Sequence, residues 1–373
     1  MKKLIFQKFL KDTFLFFLSI SLTFGVIIWV IQAVNFLDFI TEDGHSLYVY
    51  FNYTFLNFPK IIHKLLPFIF FLSLFLQLLK YETNNELLIF WTNGIKKLSL
   101  INIILLYSFM ILIIQLLLSN FLSPAGQDKA RSYLRNSSSD FLPSLIQEGK
   151  FIDAISDVTL FIEAQHENGD FKNLFLKEGG ENRFQIIHAK KGVLVSNAGE
   201  NKYFEFFDGT LIDSNNNIIT SFDFDKINFS LSKYISKSTL YPKIQETPTI
   251  DLFKCAYHYS MNTINAFKAE WLMCDKSSVD QIKVELFKRT IQPFYIPLLA
   301  LICSLLLLKS KENRFYSNLK IYLFLVAFLI IILSELLLKY TGTMNGFIIF
   351  ISLPFLLFVS TYLYLIKKFK IKI

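Results

Sequence analysis

Six apolar runs, each close to the roughly 20 residues a helix needs to cross a hydrocarbon core, sit as two blocks of three around a long polar insert. Thr13 to Leu37, Phe55 to Leu79 and Leu98 to Leu122 form the first block, and Phe287 to Leu308, Leu319 to Leu338 and Gly346 to Ile366 the second. This layout predicts a multispan membrane protein with a large extramembrane insert. Composition agrees, since 53% of the residues are hydrophobic and the mean hydropathy is +0.42, unusual for a soluble chain of 373 residues. The first run is longer than a signal-peptide core and lacks a small-residue cleavage pattern, so it is read as a helix.

Basic residues are retained on the cytoplasmic side of a span, which fixes the expected orientation. Lys2, Lys3, Lys8 and Lys11 precede the first span, whereas Asp38, Glu42 and Asp43 follow it without Lys or Arg. Lys80, Lys96 and Lys97 lie between spans two and three. Lys309, Lys311, Arg314 and Lys320 follow span four, and Lys367, Lys368, Lys370 and Lys372 follow span six. Both termini are therefore expected in the cytoplasm and the insert outside. Much of the +8 net charge is orientation signal, so a pI of 9.1 does not call for nucleic acid as a partner.

Within the insert the apolar period changes from helical to two. Val158 to Glu163, Asn173 to Lys177, Phe184 to Ala189, Tyr203 to Phe207, Ile218 to Phe224 and Ile227 to Leu231 read as strands. Turn chemistry separates them at Glu167-Asn168-Gly169-Asp170, Gly179-Gly180-Glu181-Asn182, Asn197-Ala198-Gly199-Glu200, Asp208-Gly209 and Asn215-Asn216-Asn217. Short strands at regular spacing suggest a sandwich or jellyroll. Whether its apolar interior is packed core or a ligand groove is not given by periodicity. Arg131 to Leu142 reads as a short helix or loop into the sheet, and Tyr241 to Lys283 leads back through Pro242, Pro248 and a helix from Ile250. The expected class is an α+β membrane protein with three segments. Residues 1–125 carry three spans and a cytoplasmic helix near 83–94, 126–282 the external β domain and its connectors, and 283–373 the last three spans.

No nucleophile with its base, metal cluster or phosphate loop is present, and G-x-x-x-x-G-K-[ST] is missing, so neither an enzyme nor a self-contained ATPase is expected. No cofactor is expected in this chain. His45, His63, His166, His188 and His258 are scattered without metal-ligand spacing and read as surface or satisfied histidines. Cys303 lies inside span four. Cys255 and Cys274 could meet in an oxidising compartment, but three cysteines without a framework do not predict that bond.

The loop between spans two and three reads Y-E-T-N-N-E-L-L-I-F-W-T-N-G-I-K-K-L, with a helix start at Thr83 or Asn84 and a stop at Gly94. Glu86 is near its N-terminus, and Leu87, Leu88, Phe90 and Trp91 form an apolar side. Such a helix either rests in the headgroups or docks into a cytoplasmic motor, with Glu86 meeting a basic residue there. Lys60 and Lys64, Arg131 and Arg135, and Lys288 with Arg289 lie at the outer span ends. They serve either as snorkelling anchors or as a basic rim for an anionic amphiphile. Glu335, near the end of span five, is expected to face the bundle or a partner, with a pair to Lys339 as the alternative.

With these elements in order, the chain resembles the LptF/LptG (YjgP/YjgQ) family of lipopolysaccharide export permeases over nearly its whole length. The likeness rests on F-P-K-x-x-x-x-L-P at Phe58 to Pro67, N-E-L-L-I-F-W-T-N-G-I at Asn85 to Ile95, and S-P-A-G-Q-D-K-A-R at Ser123 to Arg131. The resemblance implies an inner-membrane half-transporter with a periplasmic β-jellyroll and a sister LptF/LptG permease. An LptB-type ATPase dimer would bind the ATP and Mg, and LptC and an LptA-like bridge would receive lipopolysaccharide. It implies that Glu86 meets the ATPase and that Lys60 and Arg131, with Arg135 slightly displaced from the pattern, meet substrate; by position on the chain Lys64 and Arg289 would join that rim, and Leu87, Phe90 and Trp91 would join Glu86 at the ATPase. Q-E-G-K-F at Gln147 to Phe151 and F-I-E at Phe161 to Glu163 are similar to the LptF subunit, whereas P-A-G-Q leans toward LptG; LptF is favoured. Family members often carry a basic residue late in the first span, yet Ile31 to Leu37 has none. The substrate headgroup or its phosphate contacts would then differ. The alternatives are a permease for another lipid or lipoprotein, and a membrane-anchored sensor whose β domain captures a periplasmic ligand.

Overall fold

The computed structural model describes residues 2–41, 46–138, 148–155, 158–165, 170–179, 183–196, 202–215, 218–230, 242–261, 274, 276–341 and 344–370. Glu42, Asp43, His45, His166, Leu231, Lys372 and most of the residues read as turns fall outside them. The chain forms two compact units, one of Met1–Gln32, Leu56–Asp128 and Pro242–Ile373, the other of Ala33–Phe55 and Lys129–Tyr241.

Six helical stretches are long and apolar enough to cross a membrane: Lys2–Ile40, Leu47–Thr83, Lys97–Arg135, Ser278–Leu308, Tyr316–Leu338 and Ile348–Phe369. The first five each contain one run anticipated from the sequence, and the sixth overlaps the last of them. The α-helices of seven or more residues are α1 (Lys2–Asn35), α2 (Leu47–Leu56), α3 (Phe58–Thr83), α4 (Glu86–Thr92), α5 (Lys97–Leu117), α6 (Ser123–Ser138), α7 (Thr249–Ser260), α8 (Lys276–Thr290), α9 (Tyr295–Ser304), α10 (Tyr316–Leu338) and α11 (Met344–Lys370).

Packing sorts the helices by how their apolar residues are spread. Every residue of α9 is buried, as expected of a helix that is apolar all round and surrounded by neighbours. It packs against α3, α5, α10 and α11 around Ile69, Phe71, Leu74, Ile104 and Ala327. In the first span only 11% of the most apolar window is buried, so Leu15, Leu18, Leu22, Ile27 and Ile31 are exposed, an arrangement stable in lipid but not in water.

Two helices form a stapled hairpin. Leu252 and Cys255 of α7 pack on Val279, Ile282 and Leu286 of α8, and Cys255 is disulfide-bonded to Cys274 with Cα atoms 5.9 Å apart. This corrects the sequence expectation that the pair stays unlinked. Spacing along the chain gives no framework, but antiparallel packing of α7 on α8 brings both Cα atoms within disulfide range.

The second unit contains a six-stranded antiparallel sheet, β1 (Phe151–Ile155), β2 (Val158–Gln165), β3 (Asp170–Gly179), β4 (Arg183–Ser196), β5 (Lys202–Asn215) and β6 (Ile218–Ser230), in the order β1-β2-β3-β4-β5-β6. Each strand pairs with its neighbours in sequence, so among the described residues the topology is a meander, without the crossovers of a Greek-key jellyroll. Alternation puts Leu160, Ile162, Leu174, Leu176, Ile187, Ala189, Phe204, Phe206 and Phe229 in one buried cluster.

Two sequence readings change here. Asp208-Gly209 is not a turn, because β5 runs through it. Asp208 takes φ 50° and Gly209 pairs with both Ala189 and Phe224, while a Cβ on Gly209 would lie 2.3 Å from the His188 carbonyl oxygen. Ile218 to Phe224 and Ile227 to Leu231 are not two strands either. Phe224, Lys226 and Ile227 all pair with β5, so the described residues of both runs form a single strand.

Candidate functional site

At one end of α3, the sequence N-F-P starts the helix with Pro59 in its first turn, where a missing N–H costs nothing. Lys60 and Lys64 then lie one turn apart, Lys60 half-buried and Lys64 exposed. Lys64, Lys288 and Lys243 are all within electrostatic range of Lys60, and Lys288, Glu335 and Glu285 of Lys64. The fold thus gathers four lysines from α3, α8 and the connector before α7.

The neighbouring carboxylates are already engaged. Glu285 accepts from Arg289 Nε at 2.9 Å, Glu246 from the Lys243 backbone N–H at 2.8 Å, and Glu335 from Gln292 Nε2 at 2.6 Å. Among the described residues, Lys60, Lys64 and Lys288 make no ion pair within 4.0 Å. Glu335 is exposed but accepts from the buried Gln292 of the bundle rather than pairing with Lys339.

Arg289 differs from its expected role as a substrate contact. It is 1% exposed and all five guanidinium N–H groups are used. Nε binds Glu285, one terminal nitrogen donates to Thr247 O (2.9 Å) and Thr249 Oγ1 (3.0 Å), and the other to Gln245 O (2.9 Å) and Ile244 O (3.4 Å). Its own carbonyl accepts from Ser119 Oγ at 2.9 Å, within the π-helical turn Leu118–Leu122. Sequence reasoning counted the charge and missed the carbonyls that use it up. Arg131 and Arg135 belong to the second unit, one turn apart on α6, Arg131 buried and Arg135 half-buried.

At the other end of α3, Asn85 at φ 59° reverses the chain and caps α4, one or two residues beyond the start expected at Thr83 or Asn84, and Gly94 at φ 68° marks the expected stop. The apolar side of α4 is split. Leu87 and Phe90 are each 3% exposed, with Phe90 in edge contact with Phe6, Phe9 and Tyr81, whereas Leu88 and Ile89 are more than half exposed. Leu87 and Phe90 therefore anchor α4 to its own bundle, which corrects their assignment to a partner surface; the outward pair is Leu88 and Ile89. In a seven-residue helix packed on one side, the 3.6 period puts residues 87 and 90 on one face and 88 and 89 off it.

Half-buried Glu86 lies 3.7 Å from Lys8, and Trp91 has Lys97 Nζ 5.4 Å over its ring. Lys97 Nζ also donates to Leu307 O at 2.7 Å, and the Lys311 backbone N–H to Glu82 at 2.7 Å, fastening the flanks of α4 to the end of span four and the loop after it.

Six candidate spans, an antiparallel sheet, a lysine cluster without ion pairs among the described residues at one end of the bundle and a short docked helix at the other define a multi-pass membrane protein. The chain belongs to the lipopolysaccharide export system permease LptF/LptG family, whose model matches residues 8–368. It is also 23% identical over 234 residues to a protein of Rickettsia prowazekii (strain Madrid E) described as uncharacterized, a match covering 61% of this chain and 64% of the relative. This is a family of transport subunits rather than of ATPases.

Proposed function

We propose that the chain is the LptF-like permease subunit of an ABC transporter that extracts lipopolysaccharide from the inner membrane and hands it to a periplasmic bridge. The observation that carries this reading is the lysine cluster of Lys60, Lys64 and Lys288, cationic and without ion pairs beside committed carboxylates. Lipid A phosphates would supply the missing charge, with acyl chains remaining in the apolar environment below. Lys60 and Lys64 are the primary contacts in the first unit, Arg131 and Arg135 are separate candidate contacts in the second, and Arg289 holds the connector in place.

Orientation follows from the basic loops, with both termini cytoplasmic and the sheet periplasmic. The Cys255–Cys274 bond supports it, because disulfides persist in oxidising compartments. A separate LptB-type ATPase dimer supplies the energy and binds the nucleotide and Mg. It meets α4 through Glu86, the exposed Leu88 and Ile89, and the half-buried Trp91. A sister permease completes the cavity, and LptC with an LptA-like bridge receives the lipid from the sheet.

Mild-detergent purification of the tagged chain followed by mass spectrometry of proteins and lipids tests this reading. Recovery of an ATPase, a second six-span subunit and lipopolysaccharide is the expected result. A lone chain would sink it, and the same partners with a different lipid would redirect it to another exporter. Changing Lys60, Arg131 and Arg135 together should weaken lipopolysaccharide crosslinking; unchanged crosslinking would return them to simple anchors.

A further inference from the structure

A second lipid-facing feature lies away from the lysine cluster, in a groove of about 580 Å³ between α1 and α5. Leu10, Lys11 and Phe14 line it from α1, and Leu106, Met110 and Ile113 from α5. Phe14, Leu106, Met110 and Ile113 are each 39–69% exposed, so the groove opens sideways into the hydrocarbon rather than into the bundle. Its volume is within the range of pockets that take a lipid-sized apolar group.

Lys11 is the single charge in the lining. The neighbouring charges of α1 are committed elsewhere, Lys8 to Glu86 at 3.7 Å and Asp12 to the Tyr81 hydroxyl at 2.6 Å. Lys11 is exposed and, among the described residues, has no ion pair. An apolar trough with one unpaired ammonium at its rim matches an anionic phospholipid in charge and in polarity.

We propose that this groove binds one acyl chain of an anionic phospholipid of the cytoplasmic leaflet, with the lipid phosphate on Lys11. The leaflet rests on the orientation proposed above; the preference for an anionic headgroup does not. Such a lipid would fill the flank of α1 that the bundle leaves open, at a site distinct from Lys60 and Lys64.

The test is native mass spectrometry of the delipidated full chain with dioleoyl phosphatidylglycerol or dioleoyl phosphatidylcholine added at equal concentration. Phosphatidylglycerol should be retained about fivefold over phosphatidylcholine, the factor that one basic residue supplies at an anionic surface. Lys11→Gln should abolish that preference, Lys11→Arg should keep it, and Lys3→Gln, which removes a nearby charge outside the groove, should leave it unchanged. Met110→Trp, which fills the trough, should lower retention of both lipids. An unchanged preference in Lys11→Gln would overturn the proposal. So would a Met110→Cys crosslink to a co-purifying protein, which would assign the groove to a partner helix. Separately, Lys3→Cys should react with an impermeant maleimide only after permeabilisation. Reaction from outside would overturn the leaflet assignment, and with it the orientation, while leaving the headgroup preference standing.

Discussion

The side-chain amide nitrogen of Gln115 lies 2.9 Å from Nδ1 and 3.0 Å from the backbone carbonyl oxygen of His63. That carbonyl is the one that Pro67, four residues on in α3, cannot serve, because proline has no N–H. Gln115 on α5 thus replaces a lost helical hydrogen bond across the bundle, with both side chains buried. Gln115→Leu should destabilise the protein by about 1–3 kcal/mol, the cost of an unsatisfied buried acceptor. Adding Pro67→Ala should recover some of that loss by restoring the helical donor. Thermal denaturation of the two variants in one detergent measures both effects, and equal loss in single and double variants would refute the account.

Arg289 holds four backbone or hydroxyl oxygens of the connector together with Glu285. Arg289→Ala should cost about 3–5 kcal/mol, because it strips partners from a buried network and leaves a carboxylate uncompensated. Arg289→Lys should rescue little, since an ammonium lacks the planar five-donor fork. Limited proteolysis at 242–249 is the readout; a connector as resistant as in the parent would argue against the clamp.

The disulfide predicts a compartment-dependent hairpin. Replacing Cys255 and Cys274 with Ser should lower stability by about 3 kcal/mol, as for a loop of this size. In the parent, alkylation of these cysteines should require prior reduction. Thiols that react without reductant in freshly isolated membranes would contradict the bond.

The faces of α4 separate stability from partner binding. Leu87→Ala and Phe90→Ala should each cost about 2–5 kcal/mol by opening the cluster with Phe6, Phe9 and Tyr81. Glu86→Arg and the pair Leu88→Asp with Ile89→Asp should leave the melting temperature near the parent value. They should instead lose the co-purifying ATPase. Intact assembly and transport in Glu86→Arg would remove that residue from the coupling role.

Features governed by local chemistry are legible in the chain alone. Runs of apolar residues at bilayer length mark the six spans. Gly94 marks the end of α4, and alternation with β-branched and aromatic residues locates the strands. Those signals act within a few residues, so they survive without knowledge of neighbours. Other features depend on atoms far apart in sequence and take their form only from packing. Cys255 and Cys274 pair because α7 packs on α8. Asp208-Gly209 runs on inside a strand because β4 and β6 flank it in unbroken register on both sides. Arg289 becomes a clamp because carbonyls from residues 244–247 reach it first. The same holds for the lysines, whose number can be counted along the chain. Their convergence without ion pairs follows from where Glu246, Glu285 and Glu335 direct their oxygens, and that is a property of the tertiary arrangement.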